Sequence, residues 1–244
     1  MPSKHAVILA GGKGTRLKPY TTFVPKPLMP IGDVPIIEVI LRQLRMAGFQ
    51  SVTLAVGHMA QLMQAFLGDG SRFGLAIEYS VEEEVLGTAG PIGLLREKLA
   101  KFDVVLAMNG DVLTTMDYGA AIAHHLASKA DATICLNRRT VAIDFGVIET
   151  DPQGFLVGYK EKPMLNYDVS MGINIFSPRA FDLIPKGSFY NIPDLMMDLR
   201  KDNRPVATYR GDCYWLDIGR VDDYSTACEI FESRRKEFLP DERA

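Results

Sequence analysis

A chain of 244 residues, 47% of them hydrophobic, is long enough to bury a sizeable core and fits one large α/β domain or two small ones, one domain with insertions being expected. Its formal net charge of −3 sets a repulsive field against nucleic acid and anionic membranes, so any phosphate ligand must be held by a local cluster of cations. The cysteines Cys135, Cys213 and Cys228 form neither a disulfide framework nor a zinc pattern and fit a reducing cytoplasm, and no stretch is long enough for a signal core or a membrane span; a soluble, unprocessed chain is expected.

The apolar run at residues 6–10 ends on glycines and reads as a buried parallel strand. Residues 36–46 place apolar side chains at helical spacing and stop at Gly48. A strand at 52–56, a helix at 59–66 and a turn at Gly68-Asp69-Gly70 follow, in the order that βαβ units and a parallel sheet require. The alternation continues through a strand at 76–79, a helix at 89–99, a strand at 104–108 leading into Asn109-Gly110-Asp111, and a helix at 118–126 on which His124 and His125 are expected partly exposed.

Beyond Thr133 the texture changes to short strands with turn signals, at 133–137, 146–149, 155–159 and 170–176, for which antiparallel or mixed pairing is expected. Short helices at 178–184 and 193–201, a strand-like run at 214–218 and one long helix at 221–238 complete the pattern. The predicted fold class is α/β, a single domain with a mixed, mostly parallel sheet flanked by helices and a smaller antiparallel portion. No hexapeptide repeat follows the last helix, so no C-terminal β-helix is expected.

The loop after the first strand carries the chemistry. Gly11, Gly12 and Gly14 remove side chains so that backbone N–H groups can approach phosphate oxygens, while Arg16 offers a bidentate fork and Lys13 and Lys26 add charge. The spacing matches neither the Walker loop nor the dinucleotide fingerprint, whose third glycine would stand at Leu17. Pro19, Pro25, Pro27 and Pro30 stiffen the segment and keep Lys26 in place. Asp111 follows a strand and a glycine, Asp217 sits on the strand-like run at 214–218, and both are hard oxygen ligands; spacing alone leaves open whether they converge or serve as turn residues.

The stretch LAGGKGTRLKPYTTFVPKPLMPIGDVPII resembles the signature of the sugar-1-phosphate nucleotidylyltransferases, in which Gly-Gly-x-Gly-Thr-Arg-Leu precedes Pro-Lys-Pro. Leu86-Gly87-Thr88-Ala89, Asn109-Gly110-Asp111, Phe145-Gly146-Val147, Glu161-Lys162-Pro163, Met171-Gly172 and Trp215-Leu216-Asp217-Ile218-Gly219 extend the likeness over nearly the whole chain. The resemblance implies a Rossmann-like nucleotidyltransferase domain over residues 1–244, with a nucleotide-binding half to about residue 132 and a sugar-binding half with the closing helix from about 133.

It implies Arg16 and Lys26 as catalytic residues and Asp111 and Asp217 as ligands of Mg²⁺. The nucleotide would lie along Leu9, Ala10, Gly11, Gly12, Gly14, Thr15, Glu82, Gly87 and Thr88, and the sugar phosphate against Gly146, Glu161, Lys162, Gly172 and Asn174. Asn174 departs from the aromatic residue that many relatives place nearby, which bears on sugar identity. Glu82, Glu83 and Glu84 read as a solvated turn, yet a carboxylate there can accept from the paired donor edge of guanine, and the implied substrates are an NTP and a sugar 1-phosphate, GTP with mannose or heptose 1-phosphate first. Uridylyl, thymidylyl or cytidylyl transfer to glucose 1-phosphate or another phosphorylated alcohol is the alternative, and a non-catalytic nucleotide-sugar-binding regulatory module the alternative of another class. Homo-oligomers are common among such relatives.

Overall fold

In the computed structural model, which describes residues 2–241, the β-branched runs and amphipathic helices assemble around a seven-stranded sheet. The first part of the chain forms β1 (Lys4–Ala10), β2 (Pro30–Ile31), β3 (Val34–Pro35), α1 (Ile36–Met46), β4 (Ser51–Val56), α2 (Ala60–Leu67) and β5 (Ala76–Val81). Then come α3 (Gly90–Leu94), α4 (Arg96–Leu99), β6 (Val104–Asn109), β7 (Val112–Thr114) and α5 (Tyr118–Ser128). The remainder forms β8 (Ala132–Ala142), β9 (Val147–Thr150), β10 (Leu156–Lys160), β11 (Met164–Phe176), α6 (Ile192–Lys201), β12 (Val206–Arg210), β13 (Trp215–Asp217), α7 (Val221–Ser233) and α8 (Arg235–Phe238).

The strand order is β12-β8-β11-β6-β1-β4-β5. β1 runs parallel to β4 on one side and β6 on the other, and β4 runs parallel to β5. The chain therefore builds outward from β1 in one direction and returns on its other side. Such a reversal opens a crevice at the carboxyl ends of β1 and β6, where α/β sheets bind ligands. β11 is antiparallel to both β6 and β8, and β12 is parallel to β8 at the edge.

Alternation along β1 divides the core. Ala6, Ile8 and Ala10 pack on the face covered by α1, α7 and α8 through Ile37, Leu41, Leu44, Phe231 and Phe238. Val7 faces the opposite layer, with Ile92, Phe181, Leu195 and Leu199.

Four expectations require correction. The helix expected at 89–99 is two short helices meeting at Leu95, where Gly90 and Gly93 weaken helix propagation. The closing helix breaks at Arg234, whose φ of −123° turns the chain so that Phe238 packs against Phe231 and Tyr214. β8 and β11 run well past their expected ends as an arm, paired from Met164↔Ala142 to Ser170↔Leu136, with β9 and β10 forming a hairpin between them. His125 is buried, bound through Nδ1 to Thr133 Oγ1 at 2.8 Å and through Nε2 to Ser177 Oγ at 3.3 Å.

Candidate active site

The loop leaving β1 turns at Gly14, whose φ of 59° is left-handed and whose added Cβ would meet Thr21 Cγ2 at 2.9 Å. Thr21 Oγ1 donates to the Gly14 carbonyl at 2.7 Å and closes the loop on itself. The following single turn, Thr15–Leu17, buries Leu17 and leaves Arg16 exposed. Buried Pro25 and Pro27 flank Lys26 and direct its ammonium to the carboxyl end of β6. There it forms an ion pair with Asp111, the two side chains being 11% and 22% exposed.

Two further contacts fix that aspartate. Gly110 N donates to the Leu9 carbonyl at 2.9 Å, tying the end of β6 to β1. The short β7–β13 ladder pairs Asp217 with Val112, and Ile218 N donates to the Asp111 carbonyl at 3.1 Å. Asp111 and Asp217 thus converge from separate strands. Burial, with the Asp111 charge next, holds the Asp217 carboxyl above the usual carboxylate range, while Lys26 and Arg16 oppose the shift. Asp111 Oδ1 is buried without a hydrogen-bond partner among the described residues. Among the described residues no group of three His, Cys, Asp or Glu side chains is poised to hold a metal, so a cation here would rest on this aspartate pair with water and phosphate oxygens.

Two cavities meet at Asp217, and Trp215 and Asp217 line both, while Asp111 and Lys26 line neither. The smaller, about 310 Å³, is bounded by Thr88, Asn109, Gly172, Asn174 and Pro193. Asn174, on β11, is 3% exposed and lines this cavity. Gly172 has φ 69°, and a Cβ there would lie 2.6 Å from Asn109 Nδ2. Trp215 is held by its Nε1 donating to the Met171 carbonyl at 2.9 Å. The larger cavity, about 490 Å³, is lined by Arg16, Arg138, Arg139, Arg220 and Asp223.

The remaining expected residues fall into two groups. Glu82, just past β5, stands beside the loop, its Oε1 3.0 Å from where a Gly11 Cβ would be, and burial pushes its carboxyl up. Gly87 lies against Tyr190, and Thr88 Oγ1 accepts from Ile192 N at 2.8 Å, so this hydroxyl anchors the start of α6. Gly146, Glu161 and Lys162 sit on the arm: Tyr159 donates its hydroxyl to Glu161 Oε2 at 3.2 Å, and Lys162 has φ 43°. Gly172 and Asn174 line the smaller cavity; those three residues line neither cavity. Residue reading missed Asn109, Arg139 and Arg220; for Trp215 the available signal was its place two residues before Asp217.

The nucleotidyl transferase family matches residues 5–234. The chain belongs to that family. It is 35% identical over 246 residues to a UTP–glucose-1-phosphate uridylyltransferase of Synechocystis, covering 94% of this chain and 63% of the relative. It is 33% identical over 231 residues to the mannose-1-phosphate guanylyltransferase of Mycobacterium tuberculosis, covering 90% and 62%. The chain therefore spans less than two thirds of the length of either relative. A Bacillus anthracis protein crystallised in complex with a sucrose shares the fold at a TM-score of 0.77 and 23% identity, covering 97% of this chain and 99% of that one.

Proposed function

We propose that this nucleotidyl transferase family member joins a nucleoside monophosphate unit from an NTP to a sugar 1-phosphate, releasing pyrophosphate and an NDP-sugar. The observation that carries the reading is the meeting of Arg16, Lys26, Asp111 and Asp217 at the switch point of the sheet, between two cavities. Both relatives named above carry activities of this class in their names.

A sugar-1-phosphate oxygen attacks the α-phosphorus, and the bond from that phosphorus to the β-phosphate oxygen breaks, its electron pair leaving with pyrophosphate. A phosphate monoester is largely ionised at neutral pH, so no side chain need remove a proton. The work left to the protein is positioning and charge neutralisation. Backbone N–H groups of the loop after β1 cradle the triphosphate, and Arg16 forks onto its oxygens. Lys26, fixed between two prolines, holds Asp111 in place and would meet the reacting phosphates there.

The buried, partnerless Asp111 Oδ1 and the neighbouring Asp217 carboxylate fit a hard divalent cation. Mg²⁺ held there would supply charge neutralisation for the phosphate oxygens. The smaller cavity takes the sugar, with Asn174 reaching its hydroxyls. Glu82, against the loop that receives the nucleotide, offers the paired acceptor that guanine N1–H and its 2-amino group require, which favours GTP with mannose or heptose 1-phosphate.

A pyrophosphate-release assay with Mg²⁺, crossing GTP, ATP, CTP, UTP and dTTP with mannose, glucose and heptose 1-phosphates, tests both levels. Release with GTP and mannose or heptose 1-phosphate is the expected result. Release confined to UTP or dTTP with glucose 1-phosphate keeps the reaction and refutes the role of Glu82. Silence across the grid from folded protein would overturn the reaction and leave a nucleotide-sugar-binding module.

A further inference from the structure

The larger cavity carries more positive charge than its own carboxylates neutralise. Arg16 enters from the loop after β1, Arg138 and Arg139 from β8, and Arg220 from the start of α7. Asp217 and Asp223 are the carboxylates in its wall. Asp223 Oδ2 is already engaged by the backbone N–H groups of Gly219 at 3.2 Å and Arg220 at 2.8 Å. Arg138 has Asp168 at 3.8 Å, and Asp168 also pairs with Arg210. Among the described residues, Arg16, Arg139 and Arg220 have no ion-pair partner.

Guanidinium groups gathered in one concavity repel each other, and that repulsion is relieved by an anion bearing several charges and planar-accessible oxygens. The cavity lies across Trp215 and Asp217 from the one that holds Asn174. In an in-line displacement the leaving group departs on the side opposite the attacking oxygen. If the sugar phosphate attacks from the Asn174 side, the departing group emerges on the arginine side.

We propose that Arg139 and Arg220, which share this cavity with Arg16, are further anion contacts for the β- and γ-phosphates of the NTP and the pyrophosphate they become. This rests on the nucleotidyl transfer reading. As the bond to the α-phosphorus breaks, its electron pair goes to the bridging oxygen of the leaving pyrophosphate, and the guanidinium groups face that growing charge. The arm supplies Arg139, so β8 beyond its pairing with β12 has a chemical use as well as a structural one.

The test runs the reaction backwards, with the NDP-sugar made in the forward assay and pyrophosphate as substrates, on wild type, Arg139→Gln, Arg220→Gln and the double variant. Both arginines are exposed, so melting curves are expected to match wild type. The expected result is a KM for pyrophosphate raised about tenfold or more in the double variant, as loss of charge-assisted hydrogen bonds implies, with the KM for NDP-sugar unchanged. Calorimetric titration of magnesium pyrophosphate should weaken by a similar factor. A pyrophosphate KM and binding constant equal to wild type would overturn the proposal, as would a rise confined to the KM for NDP-sugar. A wild-type chain without turnover sinks the functional reading alone; calorimetry on that protein still decides whether Arg139 and Arg220 hold pyrophosphate.

Discussion

Replacing Lys26 by methionine keeps most of the aliphatic stem and deletes the ammonium that neutralises Asp111. In the wild type the pair is largely sequestered, at 11% and 22% side-chain exposure, and Asp217 stands beside it. Without the ammonium, Asp111 keeps a buried charge with no cation on either oxygen, since Oδ1 is already unpartnered. Breaking a fully buried pair costs about 3–5 kcal/mol; with partial exposure here the expected loss is about 2–3 kcal/mol. For a chain of this size that lowers Tm by about 4–12 °C. Asp111→Asn alone removes the same attraction but also relieves the repulsion with Asp217, so the double variant Lys26→Met/Asp111→Asn should recover much of the loss. Urea unfolding of the four proteins gives a double-mutant cycle, with an expected coupling of about 1.5 kcal/mol or more. A coupling within about 0.5 kcal/mol of zero would refute the reasoning, because the two groups would then act independently.

The pH dependence of stability follows from two buried histidines. His5 is held down to about 4 by burial first and Lys98 next, against Glu78, and His125 to about 4 by burial first, against Asp131. Between pH 6.5 and 4 the unfolded imidazoles take up protons that the folded ones refuse, so stability falls as pH falls, by about 3 kcal/mol per histidine over the window. Urea unfolding at pH 7 and pH 4.5 should show a much shallower loss in His5→Gln/His125→Gln; equal losses would contradict the assignment. Asp217→Asn has the opposite sign. Its carboxyl is raised in the fold, so its ionisation costs stability as pH rises above the usual carboxylate range, and the amide should be more stable than wild type at pH 7 while turnover collapses, read by melting curves and pyrophosphate release. Gly172→Ala must adopt φ 69° and push Asn109 aside, so a loss of about 1–2 kcal/mol and a raised KM for sugar 1-phosphate are expected; unchanged kinetics would remove Gly172 from the sugar cavity.

The parts of the site legible in the chain are those whose geometry is local. Glycines, Arg16 and the proline clamp around Lys26 fall within one contiguous segment, so residue type alone specifies a bare, stiff, cationic loop. The parallel core was legible for a similar reason: 36–46 is helical as its spacing requires, and β1, β4 and β6 are apolar runs because both faces are covered. The arm was not. Asn137-Arg138-Arg139-Thr140 continues β8 with polar residues on both faces, so no apolar alternation marks it as strand, and only its ladder with β11 makes it one. β12, at the other edge of β8, is five residues long and packs only Val206 and Tyr209 against the core, too little to mark it as strand.

Convergence is where local reading stops. Nothing near Asp111 or Asp217 in the chain says that they meet; the three-residue ladder between β7 and β13 does that, together with the Ile218 N–H on the Asp111 carbonyl. That ladder also sets Trp215 where it separates one cavity from the other, and its indole is pinned by a carbonyl of β11. A three-residue ladder, of which the β13 half reads as strand in the sequence and the β7 half does not, therefore decides which carboxylates face each other. The same argument explains His125: its helix was readable, but Thr133 and Ser177, which take up its ring nitrogens in the interior, come from strand and turn positions that helical periodicity does not see.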